Sequence, residues 1–273
     1  MIELPDSPNG ARNVKIDILI PAIEKDLGTL PHVIASARTF VRHPIGRIIV
    51  VAPQKKAIRD LCRRLGVVFV DEKKALPITK KDIAYHPNNG NRSGWLYQQL
   101  LKWCGDGLCR SRYYLVMDAD TVLIRPHSFT QGKNRIFYSR NWSHGQYYTA
   151  YRKLLGEKAS APSSFVSHYM LLDREKVRAI KRKLESRHGV SWYRAILQGI
   201  DKTRLYAYSE FETYGNYVYA RNPGKVHFRK ALNKEMTGAF AALTPAKRRQ
   251  LAARYRSLSF HKRKDYFRKK AGA

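Results

Sequence analysis

The chain has 273 residues with 52 Lys and Arg against 21 Asp and Glu, a formal charge of +31, far beyond what solubility requires, so an acidic partner or substrate is expected. The length suits one large domain, no low-complexity linker divides it, and no repeat of solenoid spacing is present, which excludes arrays and fibrous chains. No apolar run approaches the length of a membrane span. The polar segment Met1 to Arg12 argues against a secretory signal, and an odd count of three cysteines without metal-ligand spacing suits a reducing compartment, so a cytoplasmic protein is expected.

In chain order, Ile16 to Ile20 reads as a short strand stopped by Pro21. Thr29 is expected to cap a helix whose apolar positions Leu30, Val33, Ile34, Ala37 and Val41 share one face. Arg47 to Ala52 is a β-branched strand stopped by Pro53, and Ile58, Leu61, Cys62 and Leu65 mark a second amphipathic helix that Gly66 ends before the strand Val67 to Val70. This β-α-β-α-β order with short connections predicts an α/β domain with a mostly parallel central sheet. Ligands of such sheets bind beyond the carboxyl ends of the strands. Neither a Gly-x-Gly-x-x-Gly turn nor a Gly-Lys-Ser/Thr loop occurs, which disfavours dinucleotide enzymes and P-loop nucleotidases.

Tyr85 to Gly94 is a polar loop leading into a helix over Gly94 to Trp103. Leu96, Leu100, Trp103 and Cys104 form its buried face, and Trp95, Gln98 or Gln99, and Lys102 form a second face suited to a base, a sugar hydroxyl and a phosphate. The strand Tyr113 to Met117 then delivers Asp118-Ala119-Asp120. Residues i and i+2 of a strand point the same way, so the two carboxylates are expected to reach one divalent cation bound to phosphate oxygens, although an acidic turn has the same sequence.

Further on, Ser164 to Asp173 reads as a strand, with Asp173 capping a helix that carries Val177, Ile180 and Leu184; His168 within it is as readily a packed histidine as an acceptor ligand. Ser209 and Glu212 have capping-box spacing, so Glu212 is expected to reach back to a helix start. Glu210 is left as an exposed, ionised carboxylate able to accept a proton. Thr244-Pro245 is a good helix start, and from Thr244 to Ala273 eleven Lys or Arg and one acid, Asp265, alternate with aromatics. Such a tail suits an anionic membrane or a nucleic-acid backbone, or is simply solvated.

Ile18-Leu19-Ile20-Pro21, Trp95 to Lys102, Asp118 to Val122, Ser164 to Ser167 and Ser209 to Gly215, in this order, resemble an uncharacterised bacterial family of glycosyltransferases with the GT-A fold. The resemblance implies a single GT-A-like domain over residues 13–261 with a Rossmann-like first half, followed by a basic extension over 262–273. It implies a nucleotide-sugar donor held by Pro21, Ala22, Glu24, Arg92, Trp95, Gln98, Lys102 and Asp118, and Mn²⁺ or Mg²⁺ held by Asp118 and Asp120. His261, in Ser259-Phe260-His261-Lys262, is the candidate third ligand, although its surroundings do not match the longer histidine motif of glycogenin-like relatives.

A metal ion at the departing β-phosphate stabilises the transition state more than the ground state, and Lys102 and Arg92 would add cationic contacts. An inverting reaction, the favoured expectation, needs a base, with Glu210 as first choice and Glu212 as second, whereas a retaining one needs no such base. The acceptor is expected to be a glycan or a lipid-linked hydroxyl, reached by a cytoplasmic enzyme that rests peripherally on the inner face of the plasma membrane. The competing readings are a nucleotidyltransferase, which wants a Gly-Ser or Gly-Gly turn and a third acid, and a nucleic-acid-binding protein, for which no RNA-recognition, zinc-finger or helix-turn-helix signature is present.

Overall fold

The computed structural model describes residues 14–261. The polar start and the basic extension over 262–273 lie outside the described residues. Strands β1 (Ile16–Pro21), β2 (Ile45–Ala52) and β3 (Val68–Asp71) alternate with helices α1 (Leu30–Phe40) and α2 (Lys56–Arg64), as the periodicities predict. The short helix α3 (Glu72–Ala75) then leads to α4 (Ser93–Trp103), α5 (Gly105–Leu108), β4 (Tyr113–Met117) and β5 (Thr121–Leu123). The chain continues through the hairpin β6 (Thr130–Gln131) and β7 (Asn134–Ser139), α6 (Gly145–Leu155), β8 (Tyr169–Asp173), α7 (Arg174–His188), α8 (Trp192–Gly199) and α9 (Glu210–Arg221). It closes with β9 (Val226–Lys230), β10 (Asn233–Glu235), α10 (Pro245–Ala252) and β11 (Ser257–Ser259).

The central sheet has the order β3-β2-β1-β4-β8, with β8 antiparallel to β4 and the other pairs parallel. Both faces are largely buried along β1, β2, β4 and β8, so those strands are apolar at consecutive positions rather than alternating, while the edge strand β3 is half-buried. Leu19, Ile49, Val51 and Val116 point to one side, where Leu96 of α4, Tyr151 of α6, Ile180 of α7 and Ile196 of α8 cover them. Ile18, Ile20, Val50, Leu115 and Met117 point to the other, against Val33 of α1, Ile58 of α2 and Leu258 of β11. The result is a mixed α/β domain with helices on both faces of a largely parallel sheet.

Three local expectations change. Thr29 occupies the N-cap of α1 without a capping hydrogen bond, because its backbone is already α-helical and the hydroxyl is not turned back on the first turn. Only Tyr169–Asp173 of the expected strand over 164–173 is a strand; Ser164 and Phe165 instead give their hydrogen bonds to Glu212. The basic C-terminal run is not a solvated tail from Thr244 onwards. Thr244 does cap α10, accepting from Lys247 N, but Arg256 to Phe260 are buried, because β11 is the central strand of a second sheet between β10 and β5.

α9 carries one position that only glycine fits. A Cβ on Gly215 would lie 2.1 Å from the Phe165 ring, so the helix approaches the 164–168 loop more closely than any other residue allows. That approach brings the start of α9 against the carboxyl ends of β1 and β4, where the chemistry-bearing side chains gather.

Candidate active site

The Asp118-Ala119-Asp120 triplet lies in a turn between β4 and β5, closed by Thr121 N donating to Asp118 O at 3.2 Å. Strand alternation therefore does not orient the two carboxylates, and each acquires a different partner. Asp118 N donates to His168 O at 2.9 Å, next to the Met117–Tyr169 register of β4 and β8, and His168 Nδ1 stands 3.1 Å from Asp118 Oδ2. Asp120 is fixed from the opposite side. The β5–β11 register pairs Thr121 with Ser259, Phe260 N donates to Asp120 O at 2.9 Å, and His261 Nδ1 then stands 2.9 Å from Asp120 Oδ2. The two imidazole rings are 5.2 Å apart between centres.

Lys102 does not face solvent or an open phosphate site. The residue is 2 % exposed, and its ammonium sits 2.7 Å from Asp118 Oδ1 and 2.7 Å from Glu210 Oε1, above the Phe211 ring. The contact to Asp118 Oδ1 is an ion pair without hydrogen-bond alignment, while that to Glu210 is a full hydrogen bond. Burial alone would lower the lysine, but the two carboxylates raise it above its usual value. Burial would likewise raise Asp118, yet Lys102 and His168 together hold it well below the usual carboxylate range. One lysine cannot neutralise two acids, and Glu210 ends above its usual value because burial outweighs its share of Lys102.

Glu210 is thus a buried, ion-paired carboxylate at 4 % exposure and not the exposed one expected. Its backbone N–H donates to Gln99 Oε1 at 3.0 Å, so Gln99 is a buried contact between α4 and α9 that also lines the cleft, beside the less buried Gln98. Glu212 is fully buried and accepts from Ser164 Oγ, Phe165 N and Asn216 Nδ2. Ser209 caps α9 through Glu212 N, but the Glu212 side chain does not reach back to complete a capping box. Residues two apart on a helix point about 200° away from each other. Glu210 accordingly faces the cleft and Glu212 braces the loop behind it.

The cleft measures roughly 540 Å³, and of the expected site residues it brings together Pro21, Ala22, Arg92, Trp95, Gln98, Lys102, Asp118, Asp120, Glu210 and His261. Glu24 and Glu212 are not among its walls. Glu24 is an exposed side chain 3.6 Å from Lys55, and the acid that lines the β1 end is Asp26, whose carboxylate accepts from Ile23 N at 2.9 Å. Burial, reinforced by the charges of Asp118 and Asp120, pushes the Asp26 carboxyl up to about 6. Arg140, 3.4 Å from His168 Nε2, and the aromatics Trp142, Tyr147 and Tyr206 complete the opposite wall. Arg140, Trp142 and Tyr206 lie outside the helices and Tyr147 reads as an ordinary buried helix position, so none carries a signal of its own in the sequence; the tryptophan in a polar loop was the available clue.

The donor chemistry fits a divalent cation in part. Asp120 and His261 are a carboxylate and an imidazole already in contact, an oxygen-nitrogen pair that suits Mn²⁺. Asp118 is engaged by Lys102 and His168, and among the described residues no three acid, imidazole or thiol groups form a ready metal shell. The three cysteines are buried and free. No helix among the described residues is long and apolar enough to cross a membrane.

Residues 14–246 match the family of unknown function DUF6492, and the chain belongs to that family. No curated protein matches it in sequence. Among solved structures, it is similar to mouse xyloside xylosyltransferase 1 in its apo form, with a TM-score of 0.50 at 12 % identity over 90 % of this chain and 97 % of the mouse chain. At that identity the likeness is one of fold, and the fold is glycosyltransferase-like.

Proposed function

We propose that this DUF6492 protein is a metal-dependent glycosyltransferase that moves a sugar from a nucleoside-diphosphate donor to a hydroxyl of a glycan or lipid-linked acceptor. The observation that carries the reading is one cleft at the carboxyl edge of a parallel sheet, where Asp118, Asp120 and His261 share walls with a buried Glu210. Ligands of open α/β sheets bind at that edge. Asp120 and His261 would hold Mn²⁺ or Mg²⁺, with Asp118 joining when His168 or Lys102 releases one of its oxygens. When bound, the cation neutralises charge that develops on the departing diphosphate.

The chain's own residues do the rest. Pro21, Ala22 and Asp26 line the end of β1 where a nucleoside would rest, and Arg140, beside His168 in the same cleft, would offer the phosphates the cation that the locked Lys102 cannot. Lys102 acts as a positioning residue that holds Asp118 and Glu210 at fixed separation. Glu210 takes the acceptor hydroxyl proton as the acceptor oxygen bonds to the anomeric carbon; the bond from that carbon to the phosphate oxygen breaks, and its electron pair leaves with the diphosphate. This is an inverting transfer, and a carboxylate raised by burial is suited to receive the proton.

The test is to incubate the protein with UDP-, GDP- and CDP-sugars and measure nucleotide release with and without Mn²⁺. One nucleotide class should be released in a Mn²⁺-dependent manner. Release from none of them, with the protein folded, would end this reading.

A further inference from the structure

Among the described residues only two large hydrophobic side chains are exposed, Ile23 at 41 % and Trp142 at 37 %, and both line the cleft. Scattered exposed apolar residues need no explanation, but two that converge on one concavity do. Ile23 belongs to the β1 end, the nucleoside side of the reading above. Trp142 lies on the loop between β7 and α6, on the opposite wall.

Trp142 is held rather than loose. Its ring meets Tyr206 at 5.4 Å and Tyr147 at 6.1 Å, with interplanar angles of 79° and 69°, so two edge-to-face contacts fix an exposed indole in place. Next to it the Arg92 guanidinium stacks 3.9 Å over Trp95 and lies 5.4 Å from the Tyr206 ring centre. A guanidinium held by its face has its N–H groups in the plane, the arrangement that recognises a carboxylate or phosphate edge-on. The aromatic group also adjoins Glu210: burial first and then the Glu210 charge raise the Tyr147 hydroxyl, while Arg92 opposes them.

We propose that Trp142, braced by Tyr147 and Tyr206 and flanked by Arg92 on Trp95, is an acceptor subsite for a pyranose that carries an anionic group. The C–H face of the sugar covers the indole, and the acidic substituent lies against Arg92. The acceptor hydroxyl is thereby presented to Glu210. The overall charge of +31 agrees with an acidic acceptor, since it favours approach of a polyanion over a neutral glycan. The inference rests on the glycosyltransferase reading and deepens it by naming the acceptor class.

The experiment compares wild type, Trp142→Ala, Trp142→Phe, Arg92→Lys and the remote surface variant Arg182→Ala on an array of uronic-acid, phosphorylated and matched neutral oligosaccharides. Nucleotide binding with Mn²⁺ is titrated on the same samples. Wild type should retain acidic glycans over neutral ones, and the uronic-acid and phosphorylated arms tell which acid it prefers. Trp142→Ala should lower retention at least about 10-fold, Trp142→Phe less, and Arg92→Lys should narrow the preference for acidic glycans, while Arg182→Ala stays within about twofold. Nucleotide binding should be unchanged by the Trp142 variants. Undiminished retention by both Trp142 variants, equal retention of neutral glycans, or no retained glycan would overturn the subsite. Trp142-dependent glycan retention by a protein that binds no nucleotide would spare the subsite and end the transferase reading.

Discussion

Two short segments of this molecule each present a pair of acids two residues apart, and they divide their labour differently. Asp118 and Asp120 leave a strand through a turn; Glu210 and Glu212 open a helix. In the turn both carboxylates stay in the same cleft, one taken by Lys102 and His168, the other by His261. On the helix the two diverge, and only Glu210 reaches the cleft while Glu212 holds the Ser164–Phe165 loop. Identical spacing therefore yields convergence or separation according to backbone geometry, and the function of each acid follows from its partner and not from its motif.

The largest effect that sharpens this contrast comes from the residue joining the two segments. Lys102→Met strips the cation from two buried carboxylates and should cost on the order of 3–5 kcal/mol in urea unfolding. Combining it with Glu210→Gln should recover part of that loss, because one stranded charge is removed with the cation. A double variant no more stable than Lys102→Met would mean that the two groups are not energetically coupled.

Glu210→Gln alone should lower turnover by roughly 10²-fold with donor binding intact, as for loss of a general base. Glu212→Gln should do the reverse, leaving turnover within a few-fold while costing about 1–3 kcal/mol from its buried hydrogen bonds. Turnover lost in Glu212→Gln and kept in Glu210→Gln would reverse the assignment. The smallest effect lies far from both pairs: Thr244→Ala removes the α10 cap and should cost about 1 kcal/mol with no change in activity.

The first half of the fold was legible because its strands and helices each bury a continuous apolar face, and period and punctuation at Pro21, Pro53 and Gly66 mark their ends. The exposure of a polar residue was not. Lys102 and Glu210 lie 108 positions apart, and nothing in either local sequence announces that each buries the other. Asp26 was passed over for Glu24 because an acidic loop does not say which carboxylate turns inward. His261 was found through a resemblance; its position beside Asp120 follows from the β5–β11 register, a long-range pairing that short polar strands do not advertise. The basic run looked like a tail because its charges mask the buried Leu258 and Phe260 between them.

The most direct test of the central claim is isothermal titration of UDP, GDP and CDP with and without Mn²⁺ into wild type, Asp120→Asn and His261→Ala. Wild type should bind one nucleotide more tightly with Mn²⁺. Both variants should lose that gain by about 10- to 100-fold while melting within a few degrees of wild type, because each removes a proposed metal donor at a half-buried position and leaves no fully buried charge unpaired. Mn²⁺-dependent binding at wild-type affinity in both variants, or no nucleotide binding by the folded wild type, would contradict the account.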